Sequence, residues 1–528
     1  MRSENAGPNR ALHKREINGL SWFELAVCVF GIAMGCVGAL YFWSGRGSLW
    51  EDEIIAITHA NQPLPAFFAE VLRNDIHPPF YFLQLDAWLA IGANNDRWAL
   101  TNSLVWALIS LFTIFSVARS AHGRRAAWFA TAIFAVLPSF AWSAGTLRMY
   151  ALIPALVLLA YHANRRWLAT GLGGWLAAAF ALEIVLVCTH AIEFYFVAFI
   201  AFCVLIEAAA EHGGGVRGLL ATRGVKLWWI AQCAVAVIIV LIAASALLRG
   251  SDASAPESFR DLIAAPGTLV AGWKFSSYAF ARIAGLVIFA ILIVAGLAEG
   301  SSRARTLIIP LGALMLAMVV GVLLKPMIKQ PVFAANLLPF LALGAGAGAA
   351  LGKPSIRLAV IVCIVSMAIF AVPIAREQAQ GEAFEPAARY LTERVRPGDV
   401  VVIPNVSVYW GILRYAVGSD WGRPLETMSE PNAQWRGLFA KIDKTFGATT
   451  ANRLGLRPKT NLVESRGVRY MIGQDARRET ANASRVWIVK RDRYEVNVLI
   501  DAKFETPIGT SPGLFGDGEL SVHLFEGR

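Results

Sequence analysis

The chain has 528 residues, of which 56% are hydrophobic and 16% charged, whereas ordinary soluble proteins carry roughly 25% charged residues. Apolar runs long enough to cross a hydrocarbon core of about 30 Å recur from Trp22 to about Ala375 and then stop. This excludes a soluble globular chain, and the formal charge of +11 sits largely in short loops where basic residues orient helices, so nucleic acid is the weaker reading of the charge.

In chain order, residues 1–21 form a basic arm (Arg2, Arg10, Lys14, Arg15) without a cleavable small-residue site, which predicts a cytoplasmic N-terminus and a first span, not a signal peptide, at 22–43. Further spans are expected near 98–118, 126–142, 150–163, 168–188, 192–209, 227–248, 282–298, 306–324, 332–350 and 356–375, about eleven in all on the length criterion. Every second connection is basic, as the positive-inside rule requires, and the spans themselves are nearly free of charge. An odd count places residues 376–528 outside the cytoplasm, on the same side as the loops 44–97, 143–149, 249–281 and 325–331. The run from Phe80 to Gly92 is too short to span and reads as an interfacial or re-entrant helix. The Gly/Ala run from Gly344 to Gly352 is suited to close helix packing. All six cysteines lie in or beside apolar segments, which leaves no disulfide framework and no cysteine metal site.

Beyond residue 375 the pattern changes to short helix and strand signals: a helix over Phe384 to Val395, a turn at Pro397-Gly398-Asp399, and strands at Val400 to Ile403, Arg485 to Lys490 and Tyr494 to Ile500. The expected architecture is therefore mainly α. A polytopic helical membrane domain at 22–375 is followed by a small extracytoplasmic α/β domain at 376–528.

Unusual chemistry is concentrated in the outer loops. Trp50-Glu51-Asp52-Glu53 places three consecutive carboxylates just after the first span, a cluster suited to a general base or a divalent cation and equally to a solvated acidic cap. At the far end of that loop, the two prolines of Asp75-Ile76-His77-Pro78-Pro79 keep His77 in an extended segment. Leu147-Arg148-Met149-Tyr150 buries an arginine among apolar residues, which is costly unless it meets an anion or snorkels to the interface. Thr189-His190 closes the fifth span, and the Lys325 to Pro331 loop carries Lys325 and Lys329 against the positive-inside tendency, so an anionic partner is a reasonable account of them.

Trp50, Asp52 and Glu53, followed by His77-Pro78-Pro79, then Arg148-Met149-Tyr150, then Thr189-His190, resemble the pattern of bacterial GT-C glycosyltransferases related to the protein O-mannosyltransferases and lipid A aminoarabinose transferases. The resemblance implies catalytic roles for Asp52 and Glu53 in contact with the acceptor, with Asp52 as general base. It implies contacts to a lipid phosphate from His77 and Arg148, with Lys325 and Lys329 as further cations, and substrate contacts from Tyr150 and His190. Thr146, Thr101 and Asn336 stand where relatives often carry an acid, an arginine and part of an Arg-Tyr pair, which bears on donor identity. A divalent metal at Asp52 and Glu53 is left open, and no other cofactor is expected.

Nucleotide sugars are cytoplasmic and the sequence shows no nucleotide-binding fingerprint, so an outward-facing site implies a polyprenyl-phosphate sugar donor. The expected acceptor is lipid A, a glycan or a protein, reached by inverting transfer in a bacterial inner membrane. The rival class is a polytopic transporter or flippase of lipid-linked or anionic substrates, which should carry charged residues near span midpoints.

Overall fold

The computed structural model describes residues 20–61, 64, 67, 77–92, 95–190, 194–211, 223–249, 270, 279–297, 337–379, 384–403, 406–417, 462–465, 467–472, 480–491, 509–510 and 520–526. They fall into two compact units that do not follow a single cut in the chain. The first comprises residues 1–44, 76–81 and 100–379, and the second comprises 45–75, 82–99 and 380–528.

The first unit is helical. Helix α1 (Trp22–Gly45) opens with a reciprocal cap: the Ser21 N–H donates to Glu24 Oε2 at 2.9 Å, and the Glu24 N–H donates to Ser21 Oγ at 3.2 Å. Glu24 also pairs with Arg125 and, at 3.5 Å, with Arg357, so the starts of three helices share one buried carboxylate. Helices α2 (Glu51–Ala60) and α3 (Phe80–Ala90) lie in the connection between α1 and α4 (Asp96–His122), α2 and most of α3 falling in the second unit. Helices α5 (Arg124–Val136) and α6 (Pro138–Ala144) are bent by 68°. The cause is Pro138, which has no N–H to give and holds Leu137 in an extended conformation. A 3₁₀ turn (Met149–Ala151) leads into α7 (Leu152–Thr170), followed by α8 (Gly173–Thr189), α9 (Phe194–Glu211), α10 (Arg223–Arg249), α11 (Ala279–Leu297), α12 (Leu338–Leu351) and α13 (Pro354–Gln378).

Among the described residues, four helices are long and apolar enough to cross a membrane, and the bent pair makes a fifth. The protein is a multi-pass membrane protein. The span expected at 306–324 lies outside the described residues. Close packing explains the Gly/Ala run: a Cβ on Gly346 would press on the Ala130 backbone, and one on Gly348 would collide with the Ala295 carbonyl. A carboxylate also lies well inside one of the expected spans. Glu183, fully buried in α8, accepts hydrogen bonds from Asn164 Nδ2 of α7 at 2.8 Å and from Gln232 Nε2 of α10 at 2.9 Å, while the Trp228 indole donates to Asn164 Oδ1.

Among the described residues, the second unit carries a six-stranded sheet in the order β2-β3-β1-β4-β6-β5, built from β1 (Val400–Ile403), β2 (Leu462–Ser465), β3 (Val468–Ile472), β4 (Arg485–Arg491), β5 (Gly509–Thr510) and β6 (Leu520–Glu526). Strand β1 pairs in parallel with both β3 and β4, and the remaining pairs are antiparallel. The unbroken Val-Val-Val-Ile of β1 is what a central parallel strand buried on both faces needs, and Val400 and Val402 join Met471, Val486, Ile488 and Phe525 in the core. Helix α14 (Phe384–Thr392) packs on α15 (Val406–Ala416), and α15 also packs on α2 of the loop that follows α1. Further along that loop, Trp88 and Trp98 stack at 4.5 Å, each indole N–H donating to the other's carbonyl at 2.9 and 3.1 Å. Gly92 is required beneath them because a Cβ there would run into the Trp98 indole. The strand expected at 494–500 lies outside the described residues, and β2, β3 and β6 were not anticipated from the sequence.

Candidate functional site

The acidic segment belongs to the second unit. Trp50 caps α2 in an extended conformation, and its N–H donates to Glu53 Oε2 at 2.9 Å. The same oxygen takes the Arg46 guanidinium, which also reaches the Ser48 carbonyl at 3.5 Å. Glu53 is fully buried, so this carboxylate is engaged in holding its own loop. Asp52, one residue earlier in the first turn, is only half-buried. The first turn of a helix favours carboxylates through its exposed N–H groups, so the fold stabilises both acids while leaving Asp52 the more accessible.

The segment before Asp52 is tied from outside as well. The Leu49 N–H donates to Tyr415 Oη at 2.8 Å, and the Tyr415 hydroxyl donates to Asp96 Oδ2 at 2.7 Å. Arg414 pairs with the other oxygen of Asp96, and the Glu385 N–H donates to Ser48 Oγ at 2.9 Å. Burial, and then the neighbouring Asp96 charge, raises the Tyr415 hydroxyl well above its ordinary range, so it keeps its proton. Sequence reasoning missed Arg46, Asp96, Arg414 and Tyr415. Only Arg46 lay close enough in the chain for local spacing to suggest it.

The basic residues belong to the first unit, where three of them meet. Arg148, 4% exposed, places Nη2 2.8 Å from His77 Nε2. A guanidinium has no lone pair to offer, so His77 Nε2 is the acceptor; this assigns the neutral ring with its proton on Nδ1. The His77 ring lies 4.8 Å from that of His190, which is buried just past the end of α8. The Arg148 N–H donates to the Thr146 carbonyl at 2.8 Å, so the Thr146 position fixes the arginine through its backbone. Tyr150 packs its ring at 5.0 Å on Trp142 and lines a small cleft with Ser110, Ser139 and Ser143. Thr101 is half-buried in α4; Lys325, Lys329 and Asn336 lie outside the described residues. Among the described residues no three His, Cys, Asp or Glu side chains come together as a metal site, and the Arg46 pairing leaves Glu53 poorly disposed to serve as a ligand.

No family model matches the chain, and no curated protein matches it. Solved structures do. ArnT from Cupriavidus metallidurans bound to undecaprenyl phosphate superposes with a TM-score of 0.58 over 94% of this chain and 97% of that one, at 13% identity. The chain has the GT-C glycosyltransferase fold. The apo state of the same ArnT gives 0.57 over 93% and 97%, also at 13% identity. AglB from Archaeoglobus fulgidus, in complex with an inhibitory peptide and a dolichol-phosphate, gives 0.44 over 88% of this chain and 69% of that one, at 12% identity. At such identities the likeness to ArnT is one of fold, and the chemistry has to be argued from side chains.

Proposed function

We propose that the protein is a membrane glycosyltransferase of the bacterial inner membrane. It moves a sugar from a polyprenyl-phosphate carrier to an extracytoplasmic lipid, glycan or protein acceptor, with inversion at the anomeric carbon. The observation that carries the reading is the buried Arg148 held by a neutral His77 beside His190. The imidazole orients the guanidinium through a hydrogen bond, and a guanidinium makes a planar, two-pronged contact to phosphate oxygens. The shared fold supports it, because ArnT has been seen with undecaprenyl phosphate in place.

In the reaction the acceptor oxygen forms a bond to the anomeric carbon as the bond from that carbon to the phosphate oxygen breaks. Asp52 takes the acceptor's proton. The phosphate gains negative charge as it departs, and Arg148, with His77 and His190, stabilises that charge. Lys325 and Lys329 add to the positive field and Tyr150 contacts substrate. Glu53, through Arg46 and the Trp50 N–H, keeps the first turn of α2 in shape.

Cells with and without the gene product test this directly. Loss of the protein should cause a lipid-linked sugar to accumulate and a surface glycan to lose that sugar; unchanged pools of both would overturn the reading. One observation favours the transporter alternative, the Glu183 carboxylate buried within α8.

A further inference from the structure

We propose that Tyr415, on the second helix of the C-terminal segment, is a positioning residue for Asp52, so that the C-terminal segment takes part in setting up the catalytic base. The inference rests on Asp52 being that base. Its observation is a directional chain of hydrogen bonds within one compact unit: the Leu49 N–H donates to Tyr415, Tyr415 donates to Asp96, and Arg414 clamps Asp96. A hydroxyl alone among neutral side-chain groups both accepts and donates through one atom, and here it does both at 2.8 and 2.7 Å.

Leu49 is fully buried, three residues before Asp52 and one before the cap of α2. Three successive residues are thereby held: Ser48 through its hydroxyl by the Glu385 N–H, Leu49 through its own N–H by Tyr415, and Trp50 through its N–H by Glu53. The direction in which α2 starts, and with it the direction of Asp52, is therefore set by groups 337 and 366 residues away in sequence. Removing the hydroxyl leaves a buried N–H without its acceptor and frees the turn that aims the carboxylate.

The test uses full-length protein in nanodiscs, with the lipid-linked sugar fraction extracted from cells lacking the protein as donor. Tyr415→Phe should lower kcat on the order of 10 to 100-fold, the cost of a small misplacement of a catalytic group, with little change in donor KM. Amide exchange should accelerate in 46–53 while β1 at 400–403 stays protected. In an Asp52→Asn background, Tyr415→Phe should cause no further loss, because a residue acting through Asp52 has nothing left to position. Asp96→Asn, which can still accept the Tyr415 hydroxyl, should retain more turnover than Asp96→Ala. Full kcat in Tyr415→Phe, or an equal loss with and without Asp52, overturns the inference while the glycosyltransferase reading stands. Full turnover in Asp52→Asn alone removes Asp52 as the base, and both fall.

Discussion

Asp52 and Glu53 are neighbours in sequence, yet the fold gives them different surroundings. Glu53 is fully buried, bound by Arg46 and by the Trp50 N–H, whereas Asp52 keeps access. Asp52→Asn should therefore lower transfer on the order of 100 to 10,000-fold with the protein still inserted and folded, since Asn keeps the shape but cannot take a proton at neutral pH. Turnover of extracted donor together with the thermal unfolding curve measures both halves of that claim, and near-normal turnover would remove Asp52 from the role. Arg148 provides a second comparison. If it binds the donor phosphate by a planar, two-pronged contact, Arg148→Lys should lose most of the affinity for polyprenyl phosphate and Arg148→Ala nearly all of it. If it only anchors its segment at the interface, Arg148→Lys should bind as wild type, because a lysine also snorkels. The residue types at both places were legible in the sequence, since carboxylates and a buried arginine beside apolar runs stand out there. The difference in burial between Asp52 and Glu53 was not, because it depends on which carboxylate turns inward.

At the scale of elements, two buried carboxylates fasten helices in different ways. Glu24 closes its own helix cap and neutralises Arg125 of α5, with Arg357 of α13 at 3.5 Å. Glu24→Ala should destabilise the protein by about 3 to 5 kcal/mol because Arg125 is left buried without its counter-charge, while a Glu24→Leu, Arg125→Leu double variant should recover much of the loss. Unfolding in detergent reads both. Glu183 has neutral amide donors instead of a cation, so Glu183→Gln should keep the α7–α8–α10 network and full transfer activity, whereas Glu183→Leu should loosen it by leaving Asn164 and Gln232 unpaired. Loss of function in the Gln variant with folding intact would favour a transporter, in which that carboxyl carries a coupled proton. The long apolar helices, the short helix α3 and β1 were readable from local period and length. The strands β3 and β6 escaped, although β6 is as long as β4, because their places are fixed by pairing with β1 and β4, distant in sequence, more than by their own composition, and β2 pairs in turn with β3.

For the whole molecule, the division into compact units cuts across chain order. The segments 45–75 and 82–99 cluster with 380–528, drawn there by Leu49, Ser48 and α2, whose partners lie in α14 and α15. Nothing in a hydropathy profile shows this, because a profile reports burial of each segment and not the identity of what buries it. The consequence for topology is strong. Residues that bond to one another through backbone N–H groups must share a side of the membrane, so the side of the Asp52 loop and that of 380–417 are one question. The alternation of basic loops predicts that this side is outside the cytoplasm. A reporter that is active only outside the cytoplasm should be active when fused after Arg528, and a Cys replacing Gly47, whose position has open space around it, should react with a membrane-impermeant thiol reagent applied to intact spheroplasts. Agreement between the two reports is required by the Leu49 to Tyr415 bond. If the fusion reads outside and Gly47→Cys reads inside, the unit containing both is wrong; if both read inside, a polyprenyl-linked donor is no longer required, because nucleotide sugars would reach Asp52 directly.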